Sequence, residues 1–246
     1  MEESSWIVRN VLGSGLDVDV TVCLMILLTC AIIFGVVYFC SRNLQLKPTG
    51  KQNFLEMVID FVRKILSDNL PSKEVNNYHL LAFTLFLFIL VSNILGLVTK
   101  IGMHNPQGEE IVYWKSPTAD PLVTLTLAAI VILLTNYFGM KKFGIKGYFQ
   151  NSFAEPAKFL MPIKLMEEFT NVLTLGLRLY GNIYAGEVLL TLISNLASSK
   201  GFLTFIPALP LQMIWIGFSV FIGAIQAFIF VTLSMVYLSH KVVAEH

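Results

Sequence analysis

The chain holds uncharged apolar runs long enough to cross a lipid bilayer, and these restrict its possible folds more than any other feature. Residues 20–40 (VTVCLMILLTCAIIFGVVYFC) contain no charged residue. At about 1.5 Å per residue a run of this length covers a hydrocarbon core of about 30 Å. Segments 78–98 (YHLLAFTLFLFILVSNILGLV) and 121–138 (PLVTLTLAAIVILLTNYF) behave alike, and two longer apolar stretches follow at 165–197 and 208–239. In lipid each backbone polar group needs an internal partner, so such runs fold as helices. The last two, about 50 Å long as helices, exceed the core thickness and must tilt steeply, bend or protrude.

Composition agrees. The chain is 55% hydrophobic and 13% charged, whereas soluble domains lie near about 45–50% and about 25%. A cleaved signal sequence needs a basic start, but Glu2, Glu3, Asp17 and Asp19 here outnumber Arg9, so residues 20–40 are read as a retained first span. Between the first two spans, NFLEMVIDFVRKILSDNL (53–70) is amphipathic at helical spacing. Glu56, Asp60, Arg63, Lys64 and Ser67 share one face, with Phe54, Leu55, Val58, Phe61, Val62, Ile65 and Leu66 on the other. It reads as a helix lying in the membrane interface, with Asn53 and Glu56 as a capping pair. The expected fold is therefore an all-α polytopic membrane protein: one membrane domain over 1–246, with five transmembrane helices plus one interfacial amphipathic helix.

Lysine and arginine orient it. With the N-terminus outside, twelve of the 17 basic residues fall in cytoplasmic segments, from Arg42 to Lys241. Only Arg9, Lys100, Lys115 and Lys200 fall outside, and Arg178 lies within a span. This asymmetry follows the positive-inside rule and places the C-terminus in the cytoplasm. The external loop 99–120 is polar, with Tyr113 and Trp114 as interface anchors. Cys23, Cys30 and Cys40 all lie in the first span and form no Cys-x-x-Cys pair. They read as packing residues, and no metal site or cofactor is expected. No internal repeat marks the chain as a repeat-built transporter.

Two charges break the apolar pattern. In LGLRLYGNIYAGE (175–187), Arg178 and Glu187 sit inside a span, where a charge costs at least about 2.5–3.5 kcal/mol. Nine residues apart, they point in opposite directions about 13.5 Å apart along a helix, so they cannot pair within it. Glu167, Asn171, Thr174, Arg178, Asn182 and Ala185 form one polar stripe that starts at the cytoplasmic end. Tyr180, Tyr184, Glu187, Thr191 and Ser194 form a second, which runs toward the external side. Two tracks that enter from opposite ends and overlap only near the middle have the layout of two half-channels that never join. Gly181 and Ala185 flank the arginine and leave room for a neighbouring helix. On the last helix Gln212, Ser219 and Gln226 recur every seven residues, with Gly223 a turn before Gln226 and Tyr237 further along. The buried arginine requires a carboxylate or a wet cavity, and its partner is expected on another chain.

LGLRLYGNIYAGE, with EEFTN upstream, AIQAFIFVTLSMVYLS near the C-terminus and SPTADP in the external loop, resembles the a subunits of bacterial F-type ATP synthases over the whole chain. The resemblance implies a non-catalytic, proton-translocating stator subunit of the cell membrane. It would stand beside a rotating ring of c subunits, be held by the b subunits of the peripheral stalk, and be coupled through the stalks to a soluble catalytic head. It implies that Arg178 favours the ionised ring carboxylate and blocks leakage between half-channels, that Glu187 serves the external half-channel, and that Gln226 and Asn182 lie near the arginine. Some relatives carry histidine where this chain has Ser219, so Glu187 and water must suffice there. Glu167, Glu168, Asn171, Thr174, Tyr184, Thr191, Ser194 and Tyr237 are further candidates for lining the half-channels. The choice of proton or sodium rests largely with the ring subunit.

Two other readings compete. A secondary transporter could use Arg178 for an anionic substrate, but predicts broken helices or inverted repeats. A lipid head-group transferase needs a catalytic motif, and His104, Glu109, Glu110 and Asp120 of the external loop form none. Nothing suggests a nucleic-acid partner.

Overall fold

Long apolar runs punctuated by glycine, proline and aspartate fold, among the described residues, into six α-helices. The computed structural model describes residues 7–8, 18–42, 44–47, 50–98, 101–104, 110–114, 116–149, 161–199 and 202–243. The helices are α1 (Val20–Ser41), α2 (Lys51–Asn69), α3 (Ser72–Val98), α4 (Pro121–Phe149), α5 (Met161–Ser199) and α6 (Phe202–Val242). Two antiparallel strand pairs accompany them, β1 (Ile7–Val8) with β2 (Val18–Asp19) and β3 (Ile101–His104) with β4 (Glu110–Trp114). The second pair lies in the segment read as an irregular external loop, and it carries a register irregularity between Ile101 and Gly102. The side chains of Tyr113 and Trp114, and Arg9, Lys100, Lys115, Lys158 and Lys200 of the charge pattern, lie outside the described residues.

Among the described residues four helical stretches are long and apolar enough to cross a membrane: Val20–Ser41, Ser72–Gly96, Pro121–Tyr148 and Phe205–Val242. The chain is thus an all-helical, multi-pass membrane protein. Helix α5, at 39 residues, has the length but not the apolarity, because Lys164, Glu167, Glu168, Arg178 and Glu187 interrupt it.

Several boundaries differ from the sequence reading for local reasons. Asp19 caps α1 by accepting from the backbone N–H groups of Thr21 (3.0 Å) and Val22 (3.3 Å). The expected capping pair at Asn53 and Glu56 does not form. Helix α2 starts earlier, after Gly50, whose φ of 63° suits glycine, and no side chain caps it. Instead Gln52 Nε2 donates to Glu56 Oε1 (2.7 Å) and to the Gln45 carbonyl (3.0 Å), tying the preceding loop to the helix. Helix α4 outlasts the apolar run ending at 138 and breaks at Gly144 (φ 73°, ψ 164°). Helix α6 begins at Phe202, before the apolar stretch read from 208, and continues through Pro207 and Pro210.

The chain packs as two compact units. The first comprises residues 1–36, 88–120 and 180–226. Its core groups Ala119, Ile183 and Leu190, with Trp215 and Ile216 packed against them. The 3-10 turn Pro117–Ala119 is clasped to α3 by buried hydroxyls: Ser116 Oγ donates to the Ser92 carbonyl (3.0 Å) and Thr118 Oγ1 to Asn93 Oδ1 (2.7 Å). Gly96 permits this approach, since a Cβ there would lie 2.0 Å from Ser116 Cβ.

The second unit comprises residues 37–87, 121–179 and 227–246. Here α2 divides its apolar side. Leu55, Val62, Ile65 and Leu66 are buried, whereas Phe54, Met57 and Phe61 are exposed. Its polar side is not wholly free either, because Arg63 Nη2 donates to Asn76 Oδ1 of α3 (3.0 Å). The His79 ring bonds the Ile59 carbonyl (3.3 Å), and the Phe61 ring lies against Phe86 and Phe228 at 5.5 and 5.8 Å. Phe230, Val231, Met235 and Leu238 of α6 are fully buried in this unit.

Candidate functional site

Helix α5 has two contrasting faces. Leu175, Leu179 and Ile183 are buried. On the other side Glu167, Thr174, Arg178, Asn182 and Ala185 are exposed and Asn171 half-buried, so the stripe read at steps of three and four is an open face. Among the described residues Arg178 has no hydrogen bond, ion pair or ring contact. Gly181, one turn on, has nothing within 4 Å of where a Cβ would stand. Among the described residues, no side chain therefore packs at the Cβ position of Gly181, whereas Ala185 faces α6. By contrast, a Cβ at Gly176 on the packed side would meet Leu125 of α4 at 2.8 Å.

The second stripe is less uniform. Tyr184 and Ser194 are exposed, Tyr180 and Thr191 half-buried, and only Glu187 is buried, at 7% exposure. The Tyr180 and Tyr184 rings stack at 5.2 Å. Thr191 Oγ1 donates to the Glu187 carbonyl (2.9 Å), and Thr174 Oγ1 likewise to the Thr170 carbonyl (2.8 Å). These hydroxyls are engaged within the helix rather than pointing wholly outward as a stripe of water ligands.

Helix α6 supplies the facing residues in the first unit. Asn182 Nδ2 donates to Gln226 Oε1 (2.8 Å). Gln226 Nε2 and Ser219 Oγ are buried without a hydrogen-bond partner among the described residues. Buried polar atoms of this kind signal water or a missing partner. Ser219 lines a cavity of about 210 Å³ together with Asn182, Ala185, Trp215 and Phe218. At about 30 Å³ per molecule this space has room for several waters. Asn182 and Ala185 belong to both the cavity wall and the open stripe. Trp215 Nε1 donates to the Gly186 carbonyl (3.2 Å) and so fixes the cavity's other wall. Gln212 and Tyr237 are half-buried on α6.

Three placements escaped the sequence reading. Asn93 is fully buried and donates to the Gly223 carbonyl (3.0 Å), linking α3 to the turn of α6 that precedes Gln226. Its signal was present as two polar residues in the apolar run ILVSNILG. Glu167 and Glu168, grouped by their adjacency, separate: Glu167 is exposed on the stripe, while Glu168 pairs with Lys241. Lys142 similarly pairs with Glu74. The arrangement offers an unneutralised cation on an open helix face, a buried carboxylic acid, and a partly polar cavity against an amide pair.

The family model for the ATP synthase A chain matches residues 23–239. A protein from Enterococcus hirae called ATP synthase subunit a is 65% identical over 92% of this chain and 93% of its own length. Its namesakes from Enterococcus faecalis and Listeria monocytogenes serotype 4b are 63% and 52% identical over 92% and 94% of this chain, and 93% and 95% of their own lengths. The chain belongs to the ATP synthase A chain family, the non-catalytic membrane subunit of F-type ATP synthases.

Proposed function

We propose that this chain is the proton-translocating stator subunit of its ATP synthase, with the Arg178 face of α5 turned toward a rotating ring of small subunits. Each ring subunit carries one carboxyl group. That group must be neutral while it faces lipid and charged while it faces the stator, and a neighbouring fixed cation produces this change. Arginine suits the task because its guanidinium stays charged, whereas a buried lysine can lose its proton. The observation that carries the reading is Arg178 itself: exposed in mid-helix, without a partner among the described residues, beside the open space at Gly181.

In this reading protons travel by two offset half-channels. Glu187, Ser219, Tyr184, Thr191 and Ser194 serve the external one, with water in the cavity at Ser219. Glu167, Glu168, Asn171, Thr174 and Tyr237 serve the cytoplasmic one. Asn182 and Gln226 hold the crossing of α5 and α6 beside the arginine. Helix α5 is then a fifth crossing, made tolerable by the ring. Helices α5 and α6, about 58 and 61 Å long, lie tilted. Helix α2 rests in the interface, the N-terminus is outside and the C-terminus cytoplasmic. The b subunits of the peripheral stalk hold this chain still while the ring turns the central stalk of the soluble catalytic head. The test is Arg178→Ala in the whole complex reconstituted into vesicles. ATP-driven proton pumping should vanish at an unchanged amount of assembled complex, and normal coupled pumping would overturn the reading.

A further inference from the structure

Glu168 is held by an assembly from three helices that the reading above does not use. Lys241, in the last turn of α6, pairs with Glu168 of α5, and the two side chains are only 13% and 17% exposed. The Lys241 ammonium also lies 5.6 Å from the centroid of the Tyr148 ring. Tyr148 arrives there because α4 breaks at Gly144. In an unbroken helix, residues 136 and 148 would stand about 18 Å apart. Instead Tyr148 Oη donates to Asn136 Oδ1 at 2.5 Å, so the segment after Gly144 folds back on its own helix. Gly139 makes room for both arrivals: a Cβ there would lie 2.8 Å from the Tyr148 ring and 3.0 Å from the Lys241 carbonyl oxygen. All of these residues belong to the second unit.

The fold-back, the ring and the lysine end on one carboxylate, placed next to Glu167 and one turn before Asn171 on the stripe that leads to Arg178. A lysine seated against this carboxylate competes with an arriving proton for the same oxygens, so the pair opens to admit the proton and re-forms when the proton leaves. A bare lysine–glutamate contact at a helix end would be worth little, but the aromatic ring and the burial fix this one.

We propose that Lys241 is a positioning residue for proton passage: seated on the Tyr148 ring delivered by the Gly144 fold-back, it holds Glu168 as an exchanging group at the end of the Glu167–Asn171–Thr174–Arg178 stripe. This rests on the stator reading above.

The test measures ATP-driven proton flux by the whole reconstituted complex, per assembled complex. Lys241→Gln should lower flux about tenfold, equivalent to about 1.4 kcal/mol on the barrier, and Lys241→Arg should restore most of it. Glu168→Gln should be low, and the double variant Lys241→Gln/Glu168→Gln should equal Glu168→Gln. Recovery of the double variant to normal flux would make the pair a mere brace and overturn the proposal. Normal flux in Lys241→Gln would overturn it, and so would a further loss when Lys241→Gln is added to Glu168→Gln. If Lys241→Gln fails to assemble, Tyr148→Leu takes its place. It should lower flux while Tyr148→Phe, which keeps the ring, does not, and normal flux in Tyr148→Leu would overturn the proposal. Arg178→Ala in the same preparations separates the failures. If it still pumps, the stator reading falls; if it is inactive while Lys241→Gln is normal, only the present proposal does.

Discussion

Lys241 and Arg178 are cations on the last two helices, and the chain provides for them in opposite ways. Lys241 has a carboxylate, an aromatic ring and 13% exposure. Arg178 stands on an open face without a hydrogen bond, ion pair or ring contact among the described residues, beside a glycine whose Cβ position has nothing within 4 Å. In the proposed reading, a charge that positions a neighbouring group is enclosed by its own chain, whereas one that serves an encounter is left uncovered, its cost in a membrane offset when another molecule brings the countercharge. Removing Lys241 should therefore disturb the seat of Glu168 inside the chain, and removing Arg178 only the encounter with the ring.

The largest expected effect is at Arg178. Arg178→Ala should abolish pumping without lowering the yield of assembled complex, and Arg178→Lys should also fail, because a movable point charge does not replace the planar fork. A loss of assembly equal to the loss of pumping would erase the contrast with Lys241.

Glu187→Gln comes next. It keeps the shape of the buried side chain and removes the proton it can carry, so flux in vesicles should fall by about tenfold or more. Because Ser219 does not titrate, adding Ser219→His should return part of the flux. Near-normal flux from Glu187→Gln would take this residue off the pathway.

Two glycines of α5 sharpen the comparison further. Gly176→Ala forces a methyl group to 2.8 Å from Leu125 Cδ2 and 3.0 Å from its Cα, so thermal stability of the purified complex should drop by about 1–3 kcal/mol. At Gly181 a Cβ would have nothing within 4 Å among the described residues, and Gly181→Leu should leave that stability unchanged while reducing flux. Equal effects of the two on stability would show that the Arg178 face is packed after all.

An effect no larger than that of Gly176→Ala is expected at the clasp. Asn93→Ala leaves the Thr118 hydroxyl without its acceptor and should cost about 1–3 kcal/mol, read as a lowered melting temperature in detergent.

These contrasts show what was legible in the sequence. The spans at 20–40, 78–98 and 121–138 could be read because lipid demands uncharged helices, and the open stripe because three-and-four spacing fixes which residues share a face. Facing between helices was not legible. Seven-residue spacing set Ser219 and Gln226 on one side of α6, but it could not say that Asn182 would donate to Gln226 or that Asn93 would reach Gly223. Neighbours in sequence also part company: Glu167 and Glu168 differ by about 100° around the helix, enough to send one outward and the other to Lys241. The end of α4 was hidden because KKFGIKGYF lacks apolar continuity, although Gly144 marked the break. The clasp at Ser116 and Thr118 rests on contacts between segments more than 20 residues apart, which no local pattern announces.

Cross-linking across the proposed encounter tests the central claim most directly. In a chain whose Cys23, Cys30 and Cys40 have been replaced, single cysteines are placed at 171, 174 and 182 on the open face and at 175, 179 and 183 on the buried face. Each is paired, in the whole complex, with a cysteine beside the ring subunit's carboxyl group and then oxidised. Disulfides to the ring subunit should form from the first set and not from the second. Equal cross-linking from both sets, or none from the Arg178 face, would contradict the account.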